Sequence, residues 1–353
     1  MLSGKLEAMS KFISYGSIGQ FRDTVRSCQQ WFEHHQLPKG KMSFHGTVKL
    51  HGTNAGIGYD PKTGELWAQS RSNIITVEKD NAGFAAYVEK NKDLITKFMH
   101  NEVQGYLGGD QIKVAYGEWC GGNIQKGVAL NGIEKFFVLF DIKTVNETDA
   151  EAENGNDSSN VYMNSKDLDN LCYPTMPEMV AIRFYCSEHF PTFDMEIDFS
   201  FPEASVQKLI DITEEVERCC PVGKHFGVEG VGEGVVWKAA MHPHIRFKSK
   251  GEKHSDTKVK TIVAVDVEKV NSIREFVANV LTDHRMEKMI DLMKQEGLPI
   301  EPKHTGNFLK LVMNDVLKEE TDTFIQSGFV WKDLTGPLSK TARDWYLTQT
   351  QAL

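Results

Sequence analysis

After about residue 262 the apolar residues of this 353-residue chain change period. Ile273, Phe276, Val277, Val280 and Leu281 recur at i, i+3, i+4, i+7 and i+8, the stripe of a helix with one buried face. Met286, Met289, Ile290 and Met293 continue it, Phe308, Leu309, Val312, Val316 and Leu317 make a third stripe, and residues 338–347 a fourth. Stripes of this kind pack on one another, which predicts a small all-helical domain over 262–353. Upstream, short β-prone runs alternate with glycine-rich turns. The chain therefore reads as an α+β domain over 1–255 followed by the helical one, with the boundary in the charged stretch 253–260.

Within the first domain, Phe21, Val25, Cys28 and Phe32 predict a helix inside 10–37, and Phe84, Tyr87, Val88, Leu94, Ile95 and Phe98 a helix over 84–99. Residues 112–118 and 136–142 read as strong strands, and Asp60-Pro61-Lys62-Thr63-Gly64 as a hairpin connection. A helix over 204–216 places Val206, Leu209, Ile210 and Ile212 on a rough apolar face. The glycine-rich run 227–234 feeds a strand at 235–238, and 244–248 makes another. Residues 146–160 are acidic and nearly devoid of apolar side chains, an insert with no reason to build a core.

The net charge of −9 is unevenly distributed. Residues 141–220 hold 18 Asp/Glu against 5 Lys/Arg, so the flanks are mildly basic and the acidic middle is expected to face solvent. No apolar run approaches a membrane span, and the first residues lack a signal-peptide core, which predicts an intracellular protein. Six cysteines without a Cys-x-x-Cys pair imply neither a zinc site nor a disulfide framework. The twelve histidines suggest no metal cluster, and His34-His35 and His242-x-His244 read as incidental.

Chemistry concentrates in Lys49-Leu50-His51-Gly52-Thr53-Asn54, which follows the β-prone Gly46-Thr47-Val48. A lysine leaving a buried strand into a glycine turn can lose hydration and act as a neutral amine, a nucleophile able to take a phosphoryl group covalently. His51, two residues on, shares its face in an extended chain. Glu233 stands between glycines at the mouth of a strand, where a single carboxylate can hold a divalent cation; Glu229 is the rival. Lys248 and Lys250, spaced by two on a strand, turn both charges to one face, suited to phosphate.

In order along the chain these residues join Ala68-Gln69-Ser70-Arg71, Tyr116-Gly117-Glu118-Trp119, Phe140-Asp141, Glu233-Gly234-Val235-Val236-Trp237-Lys238 and Arg246-Phe247-Lys248-Ser249-Lys250. The set resembles the covalent nucleotidyltransferases: ATP-dependent DNA ligases, RNA ligases and capping enzymes. The Lys-x-His-Gly-Thr-Asn form and Gly122-Asn123-Ile124-Gln125-Lys126 are similar to the RNA ligase 2 and RNA-editing ligase family. That resemblance implies a nucleotidyltransferase fold of antiparallel, ATP-grasp-like sheets with flanking helices. It implies ATP as cosubstrate, Mg2+ or Mn2+ at Glu233, and AMP carried on Lys49. It further implies nucleotide contacts at Val48, Asn54, Arg71, Glu118, Phe140, Lys248 and Lys250. In that pattern Glu118 lies near the ribose, Phe140 stacks on adenine and His51 supports strand joining. RNA contacts fall to Thr53, Arg71, Gln125 and Lys126. Val48 departs from the family pattern, which often has glutamate there.

The resemblance thus predicts an ATP-dependent RNA ligase, a monomer acting on RNA such as a nicked duplex. A DNA ligase or capping enzyme would continue into a β-rich domain after Lys250, whereas this chain continues into helical stripes. A non-catalytic RNA-binding relative would not need Lys49, Glu118, Glu233, Lys248 and Lys250 together.

Overall fold

Two β-sheets organise the larger unit in the computed structural model, which describes residues 12–145, 161–172, 176–251 and 272–351. The first has five strands in the order β1 (Gly19–Gln20), β12 (Arg246–Lys250), β11 (Gly234–Ala239), β2 (Lys41–Lys49) and β10 (Thr192–Asp198). The second has seven: β5 (Ile74–Ile75), β4 (Glu65–Ser70), β3 (Thr53–Asp60), β6 (Ile112–Cys120), β7 (Phe136–Val145) and β8 (Val161–Tyr162), with β9 (Phe184–Cys186) also on β7. Pairing is antiparallel through the centres of both sheets, while β1 joins β12 and β9 joins β7 in parallel. The architecture is the expected α+β one, with a helical region at the C-terminal end.

Period-two alternation gives each sheet an apolar outer face. On the first sheet Phe44, Trp237 and Phe247 are fully buried, near the helix Phe21–His34 and Phe199. Phe21, Val25, Cys28 and Phe32 form that helix's buried stripe, as their spacing predicts. On the second sheet Ala55, Ile57, Ala115, Phe137 and Leu139 share a core with Phe84, Val88, Ile95 and Phe98. The opposite faces of the two sheets look toward each other. Asp141 of β7 lies 3.0 Å from Lys238 of β11, and Glu188 lies 2.9 Å from His45 of β2. The cysteines are all free thiols, and all but Cys219 are buried.

Several elements depart from the expectations above. The helix over 84–99 is broken into Phe84–Lys90, Lys92–Lys97 and a π-helical turn Phe98–Gln104. Asn91 causes the first break: its side-chain amide donates to the Tyr87 carbonyl at 2.8 Å, a local bond that competes with the helix. The helix expected at 204–216 runs Val206–Arg218, and its buried face is Leu209, Thr213 and Val216, not the all-apolar set. Thr213 is tolerated there because its hydroxyl donates to Ser249 Oγ at 2.7 Å. Asp211, Glu214 and Glu215 on that helix face solvent, as the acidic composition suggests. The strand expected at 244–248 begins instead at Arg246, because Ile245 N closes a turn on the His242 carbonyl at 2.8 Å. The insert 146–160 and the boundary 253–260 lie outside the described residues; by contacts the chain divides between Ser249 and Lys250.

The second unit is helical: Ile273–Val280, Asp283–Gln295, Thr305–Gln326 and Trp331–Gln351. Ser272 and Thr282 cap the first two by accepting from Glu275 N and Arg285 N, both at 3.1 Å. Phe276, Val280, Met289, Phe308, Val312, Leu334 and Tyr346 form its core. Arg285 is buried within it and paired with Glu320 at 2.9 Å and Asp315 at 2.9 Å. Among the described residues no helix is long and apolar enough to cross a membrane.

Trp237 anchors the outer face of the first sheet: it is wholly buried, stacks on Phe247 and donates to Ser249 Oγ at 3.2 Å. Trp237→Ala is expected to cost roughly 3–5 kcal/mol in urea unfolding followed by circular dichroism. A loss below about 1 kcal/mol would show that this face does not depend on the ring.

Candidate active site

Strand β2 ends at Lys49 in one sheet and β3 begins at Thr53 in the other, so only Leu50, His51 and Gly52 carry the chain across. Glycine is required at the last of these. A Cβ on Gly52 would fall 2.4 Å from the Trp119 carbonyl oxygen and 2.8 Å from Cys120 Sγ. The Gly52 N–H donates to Glu118 Oε1 at 3.1 Å, and Gln125 Nε2 donates to the Gly52 carbonyl at 3.2 Å. Both side chains come from β6 and the loop after it, so the second sheet grips the turn that follows Lys49.

Lys49 pairs in register with Gly234 of β11. Its Nζ lies 2.7 Å from Glu233 Oε2, and His51 Nδ1 lies 3.8 Å from the same oxygen. Glu233 is 5% exposed, whereas the rival Glu229 faces solvent. The glycine-rich run is pinned by its backbone: Ala129 N donates to Val231 O at 3.0 Å, Gly232 N to Glu217 O at 3.1 Å and Cys220 N to Gly230 O at 2.8 Å. Val48 points the other way, because alternation turns its side chain to the buried outer face beside Val235. Only its backbone remains available on the Lys49 side.

Among the described residues no group of three or more His, Cys, Asp or Glu is placed to hold a metal ion. A single buried carboxylate beside a lysine suits a magnesium or manganese ion completed by water and phosphate oxygens, which needs no protein cage. Glu233 fits that donor role.

Asn54 and Glu118 are direct cross-strand partners on β3 and β6. Glu118 is half-buried, and burial pushes its carboxyl up to about 7; Lys49 and Arg71 oppose that rise and Glu233 adds to it. Arg71 is exposed just beyond β4. Thr53, expected at RNA, is buried and accepts from Asn81 Nδ2 at 3.0 Å, which makes it part of the scaffold of the turn. Gln125 likewise holds the Gly52 carbonyl, while Lys126 beside it is exposed.

Phe140 owes its direction to a β-bulge. Tyr116 pairs with Asp141 and Gly117 with Leu139, leaving Phe140 as the extra residue of β7. Phe136, Phe137, Val138 and Leu139 are fully buried, but Phe140 is half-buried, its ring centroid 5.2 Å from that of Tyr15 in an edge-on contact. Gly117 permits the bulge, since a Cβ there would meet the Phe137 ring at 2.3 Å. Asp141, next along, accepts from Tyr15 Oη at 2.8 Å and lies 3.0 Å from Lys238 Nζ and 3.6 Å from Arg246 Nη1. Lys248 and Lys250 follow Arg246 on the same face of β12, with Lys250 the first residue of the second unit.

Sequence reasoning missed Tyr15 and Tyr162, and gave no role to Lys238 and Arg246 although both stand within the motifs quoted above. The available signals were a charged residue in each of two buried strands, Asp141 and Lys238, and an arginine two residues before Lys248.

A sequence profile of the RNA ligase family matches residues 42–255. No curated protein matches the chain in sequence. Among solved structures, a variant of a Naegleria gruberi RNA ligase with ATP and Mn is 16% identical, with a TM-score of 0.45, over 69% of this chain and 58% of that one. Another variant of it, with AMP and Mn, is 17% identical, with a TM-score of 0.44 and the same coverage. This chain therefore aligns with less than two thirds of the length of those proteins.

Two outcomes follow from the geometry of the turn. Gly52→Ala is expected to leave a folded protein whose Lys49 reacts with ATP at least about tenfold more slowly, because the added carbon displaces the turn. Labelling from radioactive ATP, read beside a thermal melt, checks this. Glu118 binds its proton more tightly when folded, so its stabilising contribution is complete below about pH 4.5 and is lost as pH rises through about 7. Glu118→Gln should therefore gain stability relative to the parent between pH 5 and 8, by up to about 3 kcal/mol. Paired melts across that range would refute the shift if the difference stayed constant.

Proposed function

The chain belongs to the RNA ligase family, and from that premise we propose that it is an ATP-dependent RNA ligase working through AMP bound covalently to Lys49. The observation that carries this reading is the Lys49–Glu233 contact of 2.7 Å at the crossing between the sheets, with His51 and Glu118 around it. In the first step Lys49 Nζ attacks the α-phosphorus of ATP. A P–N bond forms, the bond to the β-phosphate bridging oxygen breaks, and pyrophosphate leaves. The AMP then passes to an RNA 5′-phosphate. Finally an RNA 3′-hydroxyl attacks that phosphorus, and AMP departs as the phosphodiester closes.

The chain's own residues have separable tasks. Glu233 orients the Lys49 amine, and a divalent ion held there would neutralise phosphate charge. Lys248 and Lys250 supply fixed positive charge for the phosphates. Phe140, turned out of the core by its bulge, offers a ring to adenine. Asn54 and Glu118 lie beside the sugar, and the exposed Arg71 and Lys126 are available to RNA. His51 serves the joining step. We propose nicked duplex RNA as the substrate, a monomer as the working form, and action inside the cell, where ATP is available.

The test is labelling with ATP carrying a radioactive α-phosphate, in Mg2+ or Mn2+. The parent protein should hold label through denaturation, and Lys49→Ala should hold none and fail to seal RNA bearing a 5′-phosphate. Given RNA already adenylylated at its 5′ end, Lys49→Ala should still join it, since that step no longer needs the amine to carry AMP. Label on Lys49→Ala at the parent level would remove Lys49 from its assigned role.

A further inference from the structure

We infer that Arg246 is a positioning residue for adenylyl transfer, setting where Lys248 stands relative to Phe140; this rests on the ligase reading above. The Arg246 guanidinium sits in the corner between two aromatic rings, Tyr15 and Tyr162, whose planes are 88° apart and whose centroids lie 5.8 Å from each other. Its central carbon lies 4.3 Å from the Tyr15 ring centroid and 4.2 Å from the Tyr162 ring centroid. Its Nη1 stands 3.6 Å from Asp141 Oδ2, and the side chain is 2% exposed. So buried a group cannot meet RNA or ATP directly, and any effect on the reaction must pass through its neighbours.

Those neighbours are the reacting groups' own supports. Arg246 and Lys248 are two apart on β12, so they share a face and a single backbone setting. Tyr15 donates to Asp141 at 2.8 Å and packs edge-on against Phe140 at 5.2 Å. The N-terminal segment then runs on into β1, where Gln20 pairs with Lys248 itself. The cluster of Tyr15, Arg246 and Tyr162 thus ties the strand bearing the proposed phosphate-binding lysine to the bulge bearing the proposed base-stacking ring.

Energetics favour a geometric purpose. Burying a guanidinium loses hydration that pairing rarely recovers in full, and apolar replacements of similar size are often as stable or more so. What a cation wedged in the corner of two rings provides is position: displacing it loosens its contacts with both rings together. Asp141 would not be stranded by its removal, because Lys238 remains at 3.0 Å. An apolar substitute is therefore expected to fold.

The experiment uses the full chain with Arg246→Met and Arg246→Lys. Each is melted, then labelled in single turnovers over a range of ATP concentrations. Arg246→Met should melt at or above the parent temperature and label at least about tenfold more slowly at saturating ATP. Its half-saturating ATP should stay within about threefold of the parent's. Arg246→Lys keeps the charge but loses the plane, and should also be slow; if Arg246→Met loses its cooperative melt, this variant carries the test. Parent-like maximal rates in the folded variants would overturn the inference. So would a rate loss that merely follows a lower melting temperature. A parent protein that takes no label would instead defeat the ligase reading itself.

Discussion

Everything in the proposed active site depends on how short the crossing between the sheets is. With Leu50, His51 and Gly52 as the only link, Lys49 cannot move without moving β3, and β3 cannot shift without disturbing Asn54 and Glu118. The turn is held by side-chain bonds to both the N–H and the carbonyl of Gly52. A nucleophile on a long loop would lose orientation with each reaction; here the order is built in during folding.

The two sheets bury their larger apolar cores outward, while the other face of the second sheet carries charged contacts beside a smaller cluster of Ile112, Val114, Tyr116 and Val145 with Ile13 and Trp67. Lys238 of β11 lies 3.0 Å from Asp141 of β7, and His45 of β2 lies 2.9 Å from Glu188 in the turn after β9. The Glu188 hydrogen bond pushes His45 up to about 9, so this contact keeps its charge at neutral pH. Contacts of this kind add little net stability compared with the outer cores. They do, however, place charged side chains on the facing surfaces, where a triphosphate needs them.

Much of this was legible from residue order. Lys49 and Glu233 could be read from their places at strand ends beside glycines, Glu118 only from the family resemblance, and the three do converge. The helical end could be read because its stripes are long and regular. Phe140 was harder: its direction comes from a bulge, and a bulge is a mismatch between two strands that neither strand records alone. Arg246 was hidden for a related reason. A charged residue beside two lysines reads as a solvated face, and only the arrival of Tyr15 and Tyr162 from distant segments buries it. Thr53 and Gln125 have hydrogen-bonding atoms engaged within the turn itself, a pairing that sequence order does not display. The break at Asn91 arose because a side-chain amide outcompeted the helical pattern around it.

The buried thiols have a practical consequence. Cys28 sits on the first helix, Cys120 behind the Gly52 turn, Cys172 and Cys186 in the second sheet's core, and Cys220 under the Glu233 run. Burial pushes the Cys28 thiol up to about 11 and raises those of Cys120 and Cys220 as well, so little thiolate exists to react while the fold is closed. Alkylation of each cysteine then becomes a clock for local opening, reporting separately on the helix, the catalytic turn and the carboxylate loop. The protein carries, without any added probe, a set of native reporters distributed across the parts that must stay closed.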